Sequence, residues 1–162
     1  MATLTNAIRL LEGMGIALDV RTYEPDEDDL SAGRAASLLG LDPGQVFKTL
    51  VASCDGRDIV LPCIPGPEEL DLKRLAAAMG HKRAEMVHLS EVRPLTGYVR
   101  GGVSPVGTRK AYPVVLDESA FSHERICVSA GTRGVQMLLS PDDLRRATGA
   151  VVAKITRGKS GA

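Results

Sequence analysis

Three short stretches of this sequence carry residue types that could do chemistry. The first is Val46-Phe47-Lys48-Thr49-Leu50-Val51, an apolar run interrupted by one lysine. Period-2 alternation puts Lys48 on one strand face with Val46 and Leu50. A cation there is costly unless it is paired or points into a cleft; the plain alternative is an ammonium that snorkels to solvent. The second stretch, Thr96 to Lys110, packs four glycines, a proline and three cations into fifteen residues. Glycine lets backbone N–H groups press against a ligand, and consecutive N–H groups in a turn favour an anion or a developing oxyanion. A long surface connection has the same composition. The third is the turn Ala130-Gly131-Thr132-Arg133-Gly134, which follows Ser129. Backbone donors at Gly101 and Gly102, with Lys48 and Ser129, suit polarising a carbonyl and holding a phosphate. They offer no nucleophile, so a reaction served by them must start from an activated substrate.

Other chemistries find less support. The glycine loop is neither GxGxxG after a strand nor a P-loop, because no GK[ST] follows, which disfavours nucleotide hydrolysis. His81, His88 and His123 lie in polar surroundings, and none sits in a nucleophile motif such as GxSxG. No His/Cys/Asp/Glu set falls at metal-ligand spacing, and the acidic run Glu24-Pro25-Asp26-Glu27-Asp28-Asp29 lacks the spacing and glycine turn of a calcium loop. No metal or cofactor is expected. Cys54, Cys63 and Cys127 are odd in number and widely spaced, and read as buried small hydrophobes in a reducing cytoplasm. Aromatic content of 3% without tryptophan argues against a stacking platform for single strands.

The elements that must position these residues follow from patterning. Helices are expected from Thr3 or Thr5 to Gly13–Gly15, over Ala32–Leu39 between Ser31 and Gly40, over Asp71–Met79, and after Ser140-Pro141; a short one is expected at Ser90–Leu95. Strands are expected at Ile16–Thr22, Val46–Cys54, Asp58–Cys63, Tyr112–Leu116, Arg125–Ser129 and Val135–Leu139, with an edge strand at Val151–Ile155. Hairpins with irregularly placed helices predict an α+β fold: one domain over residues 1–156 with a mixed, largely antiparallel sheet flanked by helices, then a disordered tail over 157–162. Residues 1–47 hold eight acids and three bases, so an acidic N-terminal portion precedes a basic body that suits a polyanionic partner. No signal peptide or membrane-spanning run is evident.

Taken in order, Phe47-Lys48-Thr49-Leu50, the loop Thr96–Gly107 and Val128–Gly134 resemble the YbaK family of bacterial aminoacyl-tRNA deacylases, relatives of the editing domain inserted in prolyl-tRNA synthetases. The likeness runs from the first helix to about Leu144. It implies a trans-editing enzyme that hydrolyses mischarged Cys-tRNA(Pro), with the thiol of the bound cysteine attacking its own ester. The partners it implies are the aminoacyl-tRNA acceptor end and prolyl-tRNA synthetase. By position, Lys48 would hold the terminal phosphate or ribose, Gly101 would shape the carbonyl end of the pocket, and Tyr23, Thr49 and Ser129 match further pocket residues. Two departures bear on the preferred amino acid: Leu30-Ser31 stands where the family often has Phe, and Gln136 where some members have Asp. A deacylase for another small amino acid, such as alanine, and a non-catalytic tRNA- or synthetase-binding module are the alternatives.

Overall fold

A computed structural model describes residues 5–159. Its centre is a strand, β4 (Asp58–Pro65), buried continuously from Val60 to Pro65. Strands buried on both faces read as unbroken apolar runs, and Ile59-Val60-Leu61-Pro62-Cys63-Ile64 is one. Along one edge of β4 lie β2 (Phe47–Thr49) and β3 (Ala52–Cys54), both antiparallel to it. The expected single strand Val46–Cys54 is therefore split, yet its register is unbroken: Thr49 faces Cys63 and Ala52 faces Val60. Pro62 explains the gap. Leu50 N–H donates to Pro62 O at 2.9 Å, but proline has no N–H to return the bond. The β3–β4 turn places Asp55 and Gly56 at positive φ (51° and 71°), as a tight hairpin requires.

On the other edge of β4, β7 (Val114–Asp117) and then β10 (Val151–Ala153) run parallel. A strand not anticipated from sequence, β6 (Ala84–Met86), closes the sheet beside β3. A second, antiparallel sheet holds β1 (Asp19–Thr22), β9 (Val135–Leu139) and β8 (Ile126–Thr132), with β9 in the middle. A bridge between Val46 and Cys127 joins the two sheets. A third, two-stranded sheet pairs β5 (Glu68–Leu70) with β11 (Thr156–Lys159). The α+β class is as expected, while one sheet has become three. The expected tail is corrected in part: Arg157–Lys159 belong to β11, and residues 160–162 lie outside the described residues, as does Thr3.

Among the described residues, five α-helices cover these sheets. Helix α1 (Asn6–Gly13) is capped by Thr5, whose hydroxyl accepts from Ile8 N–H at 3.2 Å. Its buried Ala7, Ile8 and Leu11 join Phe47, Leu61, Leu116, Val128 and Met137 in the main core between the two larger sheets. Helix α2 (Ala32–Leu39), capped by Ser31 and stopped by Gly40 at φ 68°, seals the opposite face of the second sheet, packing Ala35 and Ala36 on Cys127 and Leu138. Helix α3 (Leu72–Ala78) sets Leu75 on Val60, Ile64 and Val115. Helices α4 (Leu89–Thr96) and α5 (Pro141–Thr148) complete the set, each ending at a left-handed glycine.

Candidate functional site

Where β2 runs beside β8, the sheets, α2 and the glycine loop enclose a cavity of about 530 Å³. That is ample for a small acyl group with part of what it is attached to. Strands supply its inner wall. Lys48 and Thr49 border it from β2, and Ser129 and Gln136 face each other as register partners on β8 and β9. Tyr23, just past β1, adds a further side, held by its N–H donating to Gly134 O at 2.9 Å.

Lys48 departs from both readings of the sequence in one respect. Its side of the chain is not uniform core: Val46 packs under α2, while Leu50 leans on the cluster around Ile64. Lys48 itself is half-buried, lines the cavity, and makes no ion pair within the described residues. Burial pulls its pKa below the ordinary lysine value, and the negative charges of Glu69 and Glu68 work against that shift. One carboxylate oxygen of Glu68 is buried without a hydrogen-bond partner within the described residues.

The loop supplies the mouth. Gly101 has φ 82°, and a Cβ there would lie 3.1 Å from the Leu30 Cβ and 3.2 Å from its Cδ1. Among the described residues its N–H finds no backbone acceptor. Gly101 itself lines the cavity. Gly102 is absent from the cavity lining, and its N–H donates to Val99 O at 2.9 Å. Its lack of a side chain serves packing, since a Cβ would meet Arg133 N at 3.2 Å. Of the donor pair expected from sequence, the Gly102 N–H is therefore engaged within the loop.

Four other predicted features resolve into structure. The Thr49 hydroxyl lies 3.5 Å from the Cys63 sulfur, so it faces the core beside the cavity. Ser129 Oγ accepts from Gly131 N–H at 3.1 Å, pinning the turn after it. His81 is clasped between Asp55 (2.9 Å) and Asp58 (3.3 Å), and His88 caps α4; neither reaches the cavity. The acidic run folds into turns: Asp26 accepts from Asp28 N–H, and Asp29 accepts from both Ser31 groups, whose hydroxyl above all holds the Asp29 carboxyl below the usual carboxylate range.

No cysteine is prepared to attack. Burial pushes the Cys63 and Cys127 thiols up to about 12, and raises Cys54 as well. The Cys127 thiol donates to Gln136 Oε1 at 3.3 Å. Gln136 is only 6% exposed and lines the cavity, as does Leu30, so both departures noted in the sequence fall on the site itself. Sequence reasoning missed Arg100, Met86, Leu89 and Val92, which line the outer part. Only β6 and α4 bring three of them there, and β6 left no alternating signal.

The lining combines the Gly101 backbone, two cations without an ion pair among the described residues (Lys48 and Arg100) and polar groups at the inner wall, a set whose chemistry suits holding an ester or amide carbonyl. Comparison with known proteins agrees. The profile of the aminoacyl-tRNA editing domain matches residues 26–147. The chain is 43% identical to EbsC of Enterococcus faecalis, named as a candidate Cys-tRNA(Pro)/Cys-tRNA(Cys) deacylase, over 94% of this chain and 93% of that one. It is 29% identical to the multifunctional Ser/Thr-tRNA deacylase ProXp-y of Escherichia coli K12, covering 68% of this chain and 69% of the relative. The crystal structure of a candidate trans-editing enzyme for prolyl-tRNA synthetase superposes with a TM-score of 0.79 at 29% identity, covering 96% of this chain and all (100%) of that one. The chain belongs to the aminoacyl-tRNA editing domain family.

Proposed function

We propose that this protein is a trans-editing deacylase that cleaves the ester between a mischarged cysteine and tRNA(Pro). The observation that carries the reading is the cavity shared by Lys48, Gly101, Ser129 and Gln136 in a fold whose three cysteine thiols are raised in pKa by burial. Lys48 supplies positive charge to the ribose–phosphate end of the substrate, and the Gly101 N–H receives the carbonyl oxygen. The cysteine thiol then attacks its own ester carbon. A C–S bond forms, the C–O bond to the tRNA 3′ oxygen breaks, and the thiol proton ends on that oxygen. A free thiol is about a few per cent thiolate near neutrality, and intramolecular positioning supplies much of the remaining rate. The names of EbsC and of the trans-editing structural neighbour support this substrate and prolyl-tRNA synthetase as partner. That partner contributes the tRNA selection a small cavity lacks, in the cytoplasm where tRNA is charged.

A second reading, a deacylase for another small amino acid such as alanine or serine, is favoured by Leu30 and Gln136 lining the cavity. One experiment separates the two: incubation of the purified protein with Cys-, Ser- and Ala-charged tRNA(Pro), following loss of each ester. The cysteinyl ester should be lost much faster than the seryl one. Equal rates would mean attack by water, and turnover of the alanyl or seryl ester in preference to the cysteinyl one would establish the second reading. No loss of any ester would leave a binding module.

A further inference from the structure

The mouth of the cavity has two unlike lips. One is the segment 24–31, which holds five carboxylates and no cation, with Asp28, Asp29 and Leu30 reaching the lining. The other is the segment 82–103, from which Met86, Val87, Leu89, Val92 and Arg100 reach it. Met86 and Leu89 are 45% and 58% exposed. Large apolar side chains so exposed at a cavity rim mark a contact surface. From residue 82 to 110 the chain carries six cations (Lys82, Arg83, Arg93, Arg100, Arg109 and Lys110) against two carboxylates, and none of the six is ion-paired within the described residues.

From these lips we infer that Met86 and Leu89 form the seat of the terminal nucleoside of the tRNA, and that the strand leaves the cavity across this lip alone. The inference rests on the deacylase reading for the placement of the acyl group inside. With the acyl group at Gly101, the unit that must cross the rim is the ribose and its base, which is flat, uncharged and largely apolar on its faces. Beyond it every linkage is a phosphate. The acidic lip repels that chain, whereas the second lip offers apolar contact together with Arg100, a cation without an ion pair among the described residues, on a segment of net positive charge. Charge complementarity therefore gives the strand a direction. The β3–β6 pairing carries the seat: Val87 N–H donates to Val51 O at 3.1 Å, one step beyond the Ala52–Met86 register pair, which holds the start of the β6–α4 junction beside the cavity.

Binding separates this inference from the chemistry. The probes are the non-hydrolysable 3′-cysteinylamide of adenosine and cysteine methylamide, titrated calorimetrically into the full chain. Wild type should bind the adenosine probe at least about tenfold more tightly, since burying one aliphatic side chain against the base supplies that much. Leu89→Glu and Met86→Glu should erase the difference and leave methylamide affinity intact. Both positions are exposed, and a first-turn glutamate suits α4 at 89. Equal wild-type affinity for the two probes overturns the seat, as does equal loss of both in the variants. So does loss of prolyl-tRNA synthetase association with nucleoside binding unchanged. Seat-dependent binding of the adenosine probe in a protein that cleaves no ester would sink the deacylase reading and keep the seat.

Discussion

The inner wall of the cavity and its mouth are built by different means. Lys48, Thr49, Ser129 and Gln136 stand on strands whose register is fixed by pairing and by core on the far face. Leu30, Arg100 and Gly101 stand on connections, where a contact such as Gly101 against Leu30 sets position instead of a ladder. The wall fixes where charge and hydrogen bonds lie, and the mouth fixes the width of the opening. A substitution in the wall should therefore remove an interaction, whereas one in the mouth should change shape.

Gly101→Ala tests the mouth most severely. The new methyl both strains a backbone at φ 82° and presses on Leu30, so the donor N–H moves. Removal of one such donor lowers kcat by about 100-fold or more; single-turnover deacylation should show this while circular dichroism stays native. Adding Leu30→Gly should recover part of the loss, because it removes the Cβ, Cγ and Cδ1 contacts and leaves the strain. No recovery would mean that Leu30 is irrelevant to the aperture. Lys48→Ala tests the wall and should cost about 10- to 100-fold in kcat/KM, mostly through KM, with Lys48→Arg intermediate.

A smaller effect concerns pH. Burial disfavours the charged form of Lys48, so its proton leaves at lower pH than the ordinary lysine value of 10.5. KM should consequently rise on the alkaline side before that value, and the rise should vanish in Lys48→Ala. The same shift means that the folded state gains stability relative to the unfolded one as pH climbs through the folded-state pKa, because the unfolded chain still holds the proton. The least effect belongs to the Glu27–Arg133 pair, 3.6 Å apart with Glu27 highly exposed. Glu27→Gln should alter turnover by less than about twofold, as expected of an exposed ion pair. A larger change would make the acidic lip part of the wall.

Lys48 was legible because a lone charge in an apolar strand has few explanations. Gly101 was legible only as one of several glycines. Which N–H is engaged within the loop is decided by the Gly102–Val99 turn bond, and two adjacent glycines look alike in sequence. The helices with Ser31 and Ser140 caps and glycine stops were readable because those signals are local. Strands β5, β6 and β11 were not. Each has three or four residues, and β11 contains Gly158 at φ 122°. Their pairing is imposed by distant contacts such as Asp71 N–H to Ile155 O at 2.7 Å. The rim residues Met86 and Leu89 inherit that illegibility, since β6 carries the first of them there and α4 the second.

Tyr98 links the loop to the hairpin beyond it. Its hydroxyl donates to Val106 O at 2.7 Å, and its ring fills the space where a side chain at Gly107 or Gly131 would stand. Loop 97–107 and the β8–β9 turn are accordingly one transplantable cassette. Grafting the loop onto another scaffold without the matching glycine at 131 would drive an aromatic ring into the Cβ of the recipient's residue there.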